Sequence, residues 1–148
     1  MKLKRVIQKD STGCGIACVA MIAGISYGEA KRTAIAHGIV KKRPPYYTTS
    51  GELTELLRKF HRGATKGRKL SKWESLDRLS IVGINFSSTH GTWHWVIYVP
   101  GIDAGFVLDP RKSVKTHKRT DFSRMRPRSY IAVTPPDNQL LATNNAGA

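Results

Sequence analysis

The chain has 148 residues, 40% hydrophobic and 24% charged, the composition of an ordinary soluble globular domain, and no stretch approaches the ~20 apolar residues of a membrane span. Lysine and arginine number 25 against 10 acidic residues, a formal charge of +15, which favours polyanions, acidic membrane surfaces or acidic substrates as partners. Two cysteines, Cys14 and Cys18, cannot build a disulfide framework and point to a reducing, cytoplasmic setting.

In chain order, a polar segment ends at Gly13-Cys14-Gly15, and Ile16, Val19, Ala20, Ile22 and Ala23 follow at helical spacing. They are dense enough for a helix buried on most sides and stopped by Gly24. Ser26-Tyr27-Gly28-Glu29 has capping-box spacing and opens a second helix through Ile35, with Gly38 as its stop. Thr49-Ser50-Gly51-Glu52 repeats the signal ahead of an apolar stripe of Leu53, Leu56, Leu57 and Phe60. Ser71-Lys72-Trp73-Glu74 is expected to start a shorter helix carrying Leu76 and Leu79, and Lys66 to Lys69 an exposed loop. From Ile81 the character changes. Ile81 to Phe86, Trp93 to Val99, Gly105 to Asp109 and Ser129 to Thr134 are β-branched and aromatic runs separated by turn residues. Helices followed by strands predict an α+β domain over residues 1–134 with an antiparallel sheet. Residues 135–148 are small, polar and Pro-led, which predicts a disordered tail.

A thiol at the start of a helix meets unpaired backbone N–H groups and the positive end of the helix dipole, which stabilise a thiolate. Gly13 and Gly15 suit a tight entry turn and close approach of another backbone. Two processing readings of the same residues fit less well. Gln8 to Thr12 put polar residues, Asp10 among them, ahead of the apolar stretch of any signal peptide, and no long apolar segment precedes Cys14 as a lipid-attachment box requires. A Cys14–Cys18 zinc pair lacks two further ligands, so no metal and no cofactor is implied.

Acyl transfer by cysteine needs a base. His37, His61, His90 and His117 lie near a helix end, in a loop or among cations, whereas His94 begins the strand Trp93 to Val99. A hairpin centred on Pro100 to Gly105 would set Asp109 opposite Val96, a diagonal neighbour of His94 at roughly 7–8 Å and within side-chain reach. Asp103 sits at the turn tip and cannot reach. The carbonyl oxygen that becomes negative during attack needs donors. The Cys14 backbone N–H is one, and the side-chain amide of Gln8, six residues earlier, is the second. Cys18, one helical turn past Cys14, reads as buried packing, and Asp10 as a structural tether or cap. Trp93 and Trp95 face away from His94 and read as core or substrate-wall residues.

The stretch Gln8 to Met21 resembles the nucleophile motif of the bacteriocin-processing, double-glycine leader peptidases. These are papain-like cysteine proteases usually fused to the front of an ABC exporter. The Gln-to-Cys spacing, the glycine after the cysteine and the second cysteine four residues on all match. His94 to Tyr98 followed by Val107-Leu108-Asp109-Pro110 resembles the family's His and Asp-Pro blocks, and the similarity covers most of residues 6–134. Gly13 departs from it, standing where the family commonly has an acidic residue, and the +15 charge is not a family trait.

The resemblance implies a papain-like fold, with N-terminal helices packed on a C-terminal antiparallel sheet; in departure from the family no transporter accompanies it, so a stand-alone peptidase is expected. It makes Cys14 the nucleophile, His94 the general base and acid, Asp109 its orienter and Gln8 the completion of the oxyanion hole. Peptide or protein is the implied substrate, cut after small residues such as Gly-Gly. Two readings compete: a degenerate peptidase fold whose basic surface binds protein or nucleic acid, and an acyltransferase that passes the acyl group to an amine or thiol.

Overall fold

The first half of the chain forms three helices, each begun or ended by the residues that its sequence marks. A computed structural model describes residues 3–134, so the tail expected over 135–148 lies outside the described residues. Helix α1 spans Cys14–Ala23 and is buried on every side from Cys14 to Ile22; Gly24 ends it in the left-handed conformation at φ 70°. Helix α2 spans Tyr27–Ala36, its first turn capped by the Ser26 hydroxyl accepting from Glu29 N, and α3 spans Ser50–Lys59 behind a complete Thr49/Glu52 capping box. Leu53, Leu56 and Leu57 turn the buried face of α3 inward.

The second half is an antiparallel sheet. Its strands are β1 (Gly63–Ala64), β2 (Arg68–Lys69), β3 (Ser80–Ser87), β4 (Thr92–Val99), β5 (Phe106–Leu108) and β6 (Pro127–Thr134), in the order β1-β6-β3-β4-β5, with β2 also pairing β6. Helices packed on an antiparallel sheet give the α+β, papain-like arrangement. One core cluster joins α1, α2 and α3 to Ile81, Trp95, Ile97 and Ile131. A second, on the other side of the sheet, gathers Trp73, Leu76, Val82, Ile84, Val96, Tyr98, Val107 and Met125. No helix among the described residues is long and apolar enough to cross a membrane.

Two local expectations are corrected. The helix expected from Ser71 is only a single 3-10 turn, Trp73–Ser75. Leu76 packs into the second cluster and Leu79 against the first, and one helical stripe cannot serve both sides of a sheet. The loop expected at Lys66 to Lys69 contains β2, whose exposed residues pair with Tyr130 and Ser129 through backbone alone.

Candidate active site

Strand β4 and the segment after β5 bring His94 and Asp109 together. The ladder pairs Val99 with Phe106, Tyr98 with Val107 and Ile97 with Leu108, and Asp109 follows directly after its last pair. His94 Nε2 lies 2.7 Å from Asp109 Oδ1. Of the five histidines His94 alone is buried; His37, His61, His90 and His117 are exposed.

Asp109 is 1% exposed and its oxygens are fully engaged: Oδ1 also accepts from Arg111 N at 2.9 Å, and Oδ2 accepts from Arg119 Nη1 at 2.7 Å. Burial alone would push its carboxyl upward. The His94 contact, the Arg111 N–H and Arg119 together outweigh burial and lower its pKa to about 2. For His94 burial works downward, but Asp109 and Cys14 favour the protonated ring and leave its pKa above the ordinary value. With Nε2 taken by Asp109, Nδ1 is the ring nitrogen left for the thiol.

Cys14 is the first residue of α1, and its sulfur accepts from Trp95 N at 3.4 Å, which locks the start of the helix against β4 beside His94. The flanking glycines are explained by side chains, not by the backbone approach expected from sequence. A Cβ on Gly13 would stand 2.0 Å from Tyr27 Oη, and one on Gly15 2.0 Å from Thr48 Oγ1. Asp10 acts as a tether and not as a helix cap: Tyr27 Oη donates to it at 2.7 Å, Lys31 pairs with it at 3.1 Å, and α1 has no side-chain cap. Cys18 is fully buried, and burial first, then the nearby Cys14 and Asp109, push its thiol pKa well up.

Gln8 is brought to the same corner, its backbone N–H donating to Pro110 O at 2.9 Å. Its side-chain Nε2 faces Asp10 O and Ser11 O at 2.9 and 3.0 Å, so the amide holds the loop that leads into Cys14. Cys14 also lines a pocket of about 160 Å³ walled by Tyr47, Thr48, Thr92, Trp93 and Trp95. Among the described residues, no group of three or more His, Cys, Asp or Glu could hold a metal ion.

Sequence reasoning missed two residues around Asp109. Arg119 grips its carboxylate, and Arg5 donates to the carbonyls of Asp109, Arg111 and Val114. Both belong to irregular segments, where no periodicity announces a partner.

A helix N-terminal cysteine against a sheet histidine, itself bonded to a buried aspartate, places the protein among the papain-like cysteine peptidases. Sequence and structure comparisons agree. The chain belongs to the Peptidase C39 family, whose description matches residues 2–138. No curated protein matches it in sequence. Among solved structures it resembles the peptidase domain of Streptococcus ComA, a bifunctional ABC transporter involved in quorum sensing (19% identity, TM-score 0.65, 90% of this chain and 99% of that one). It also resembles a double-glycine motif protease from an AMS/PCAT transporter, solved in complex with its leader peptide (16% identity, TM-score 0.62, 90% and 92% covered). The peptidase domain of Streptococcus mutans ComA is a third likeness (18% identity, TM-score 0.57, 89% and 99% covered).

Proposed function

We propose that this peptidase works through Cys14, His94 and Asp109 and hydrolyses peptide bonds that follow small residues such as Gly-Gly. The observation that carries the reading is the buried line from Cys14 through His94 to Asp109, with Asp109 bonded to the ring nitrogen that faces away from the thiol. Cys14 sulfur attacks the scissile carbonyl. His94 Nδ1 holds the thiol's proton and passes it to the leaving amine. Water then attacks the acyl-enzyme as His94 takes its proton, and Cys14 is regenerated. Asp109 keeps the ring oriented and steadies its positive charge.

The oxyanion that forms in each half is bound by the Cys14 backbone N–H, a first-turn donor with no partner inside the helix, and by Gln8. For Gln8 this requires one Nε2 hydrogen to be shared by the Asp10 and Ser11 carbonyls while the other turns to the substrate. The walls of the Cys14 pocket leave little volume beside the thiol, which suits glycine at the bond that is cut. The leader peptide bound to the AMS/PCAT relative supports a peptide substrate here too. Unpaired Cys14 and Cys18 suit a cytoplasmic, reducing setting.

A mixed peptide library read by mass spectrometry tests this directly. Wild type should release products with small residues at the new C-terminus, and Cys14→Ala should release none. Iodoacetamide should modify Cys14 at mildly acid pH in wild type and far more slowly in His94→Ala. Cleavage that survives Cys14→Ala, or a Cys14 no faster than a free cysteine, overturns the assignment. Products joined to an added amine would favour acyl transfer over hydrolysis.

A further inference from the structure

Two irregularities of the sheet fall at one corner. In β3, Asn85 and Phe86 together oppose Trp93, since Ile84 pairs with His94 but Ser87 with Thr92. In β6, Arg128 is the extra residue between Ser129 and Pro127, which pair with the consecutive Gly83 and Ile84. A bulge bends its strand and re-aims the side chain it carries. Here the two together stack the Arg128 guanidinium over the Phe86 ring, 3.5 Å from its centroid.

The stack continues to the nucleophile. Phe86 lies 6.4 Å from Trp93, and Trp93 meets Trp95 edge-on at 5.8 Å. Trp93 and Trp95 both wall the Cys14 pocket, and Trp95 N donates to the Cys14 sulfur. A ladder of rings therefore runs from the thiol to a cation. Phe86 and Arg128 are exposed. Asn85 binds Arg126 N and Arg124 O, which holds two more exposed arginines at the same bulge. Among the described residues, no carboxylate pairs with Arg124, Arg126 or Arg128.

We propose that Arg128, laid over Phe86 at the end of this ladder, is a subsite for an acidic side chain of the peptide substrate. A guanidinium seated over a ring leaves N–H groups directed away from the aromatic, and these can take a carboxylate in two parallel hydrogen bonds. Arg124 and Arg126 add to the field that draws the acid in. A peptide is favoured over a nucleic acid because the ladder begins at the nucleophile, so a chain lying in the pocket already runs toward the cation. The subsite gives part of the +15 charge a task. It deepens the peptidase reading above, and two measurements separate the fates of the two.

The first is cleavage of a mixed peptide library by wild type, Arg128→Gln, Arg128→Lys and Phe86→Leu. Wild-type products should be enriched in Asp and Glu at one fixed distance from the cut. The enrichment should fall about tenfold in Arg128→Gln, the scale of a charged hydrogen bond at an exposed site, and less in Arg128→Lys. Iodoacetamide labelling of Cys14 reports that each variant is folded at the site. The second is retention of the same library by Cys14→Ala and by its double variant with Arg128→Gln, with a labelled single-stranded oligonucleotide as competitor. Cleavage without acidic preference, or with a preference unchanged in Arg128→Gln, overturns the subsite and leaves the peptidase standing. Arg128-dependent retention of acidic peptides without cleavage by wild type overturns the peptidase assignment and supports the subsite. Arg128-dependent binding of the oligonucleotide with no retention of acidic peptides overturns it in favour of nucleic acid, and neither cleavage nor retention overturns both.

Discussion

Arg119 donates from Nη1 to Asp109 Oδ2 at 2.7 Å while its Nε and Nη2 are held by the two oxygens of Asp121 at 2.9 and 2.8 Å. The backbone of Arg119 pairs with Val107 in both directions, so the guanidinium is fixed at its root as well as its tip. Asp109 thus faces His94 with one oxygen because the other is already taken.

Arg119 should therefore behave as a positioning residue. Arg119→Met frees Asp109 Oδ2 and removes the cation beside it. A hydrogen bond to a charged group is worth about 1.5–3 kcal/mol, so kcat should fall roughly 10–100-fold. The pH profile distinguishes this from a loss of packing. Without Arg119 the Asp109 carboxyl rises, and its less compensated charge also raises His94, so both limbs of the rate profile for Cys14 alkylation should move to higher pH. Limbs that stay in place would leave Arg119 a structural role only.

The His94–Asp109 pair also predicts how stability follows pH. Asp109 drops from 3.8 to about 2 on folding. That contribution, about 2 kcal/mol, is fully present above pH 3.8 and is lost as pH falls through about 2. His94 works in the other direction. Its pKa is raised from 6.5, so its contribution is present below pH 6.5 and is lost as pH rises through the folded value. Urea midpoints across pH should show both slopes in wild type, and Asp109→Asn should flatten the acid one. An acid slope that survives in Asp109→Asn assigns it to other carboxylates.

The His94–Asp109 pairing was legible in sequence because a hairpin obeys simple arithmetic. Once the turn is placed, alternation decides which aspartate can reach the histidine. Cys14 was legible for a similar local reason, a helix start between two glycines. Arg119 and Arg5 were not, because their contacts are made by chain with no period. The Phe86 and Arg128 bulges were also hidden: one inserted residue changes the aim of a side chain without changing the β-character of the run. The two-residue strands β1 and β2 are too short to carry any pattern, and their pairing is backbone alone. The helix expected after Ser71 failed through tertiary context, as Leu76 and Leu79 were wanted on opposite sides of the sheet.

Gly15 and Gly24 offer a matched pair. A Cβ on Gly15 would meet Thr48 Oγ1 at 2.0 Å, Leu53 Cδ2 at 3.0 Å and Trp95 Cδ1 at 3.2 Å, with α1 wedged against β4 and α3. Gly15→Ala should cost about 1–3 kcal/mol by overpacking, and it should also slow Cys14 alkylation by moving the start of the helix. At Gly24 nothing lies within 4 Å, and only φ of +70° resists a side chain. Gly24→Ala should cost about 1–2 kcal/mol and leave the alkylation rate unchanged. Thermal melts with parallel labelling separate the two. An unchanged labelling rate in Gly15→Ala would mean that the clash does not reach Cys14.

Gln8 can be tested by asking one thiol to do two kinds of chemistry. Its amide holds the loop ahead of Cys14 through Asp10 O and Ser11 O, and in the proposed mechanism one N–H also stabilises the oxyanion. Peptide hydrolysis passes through a tetrahedral intermediate with charge on oxygen, whereas alkylation by iodoacetamide at sulfur does not. If Gln8 is an oxyanion donor, Gln8→Ala should lower kcat for peptide cleavage by about 10²–10³ while Cys14 alkylation changes far less. If it only secures the loop, displacement of Cys14 relative to His94 slows both reactions together. The ratio of the two losses is the measurement. A ratio near one removes Gln8 from the oxyanion hole and leaves the Cys14 N–H as the donor that the helix itself supplies.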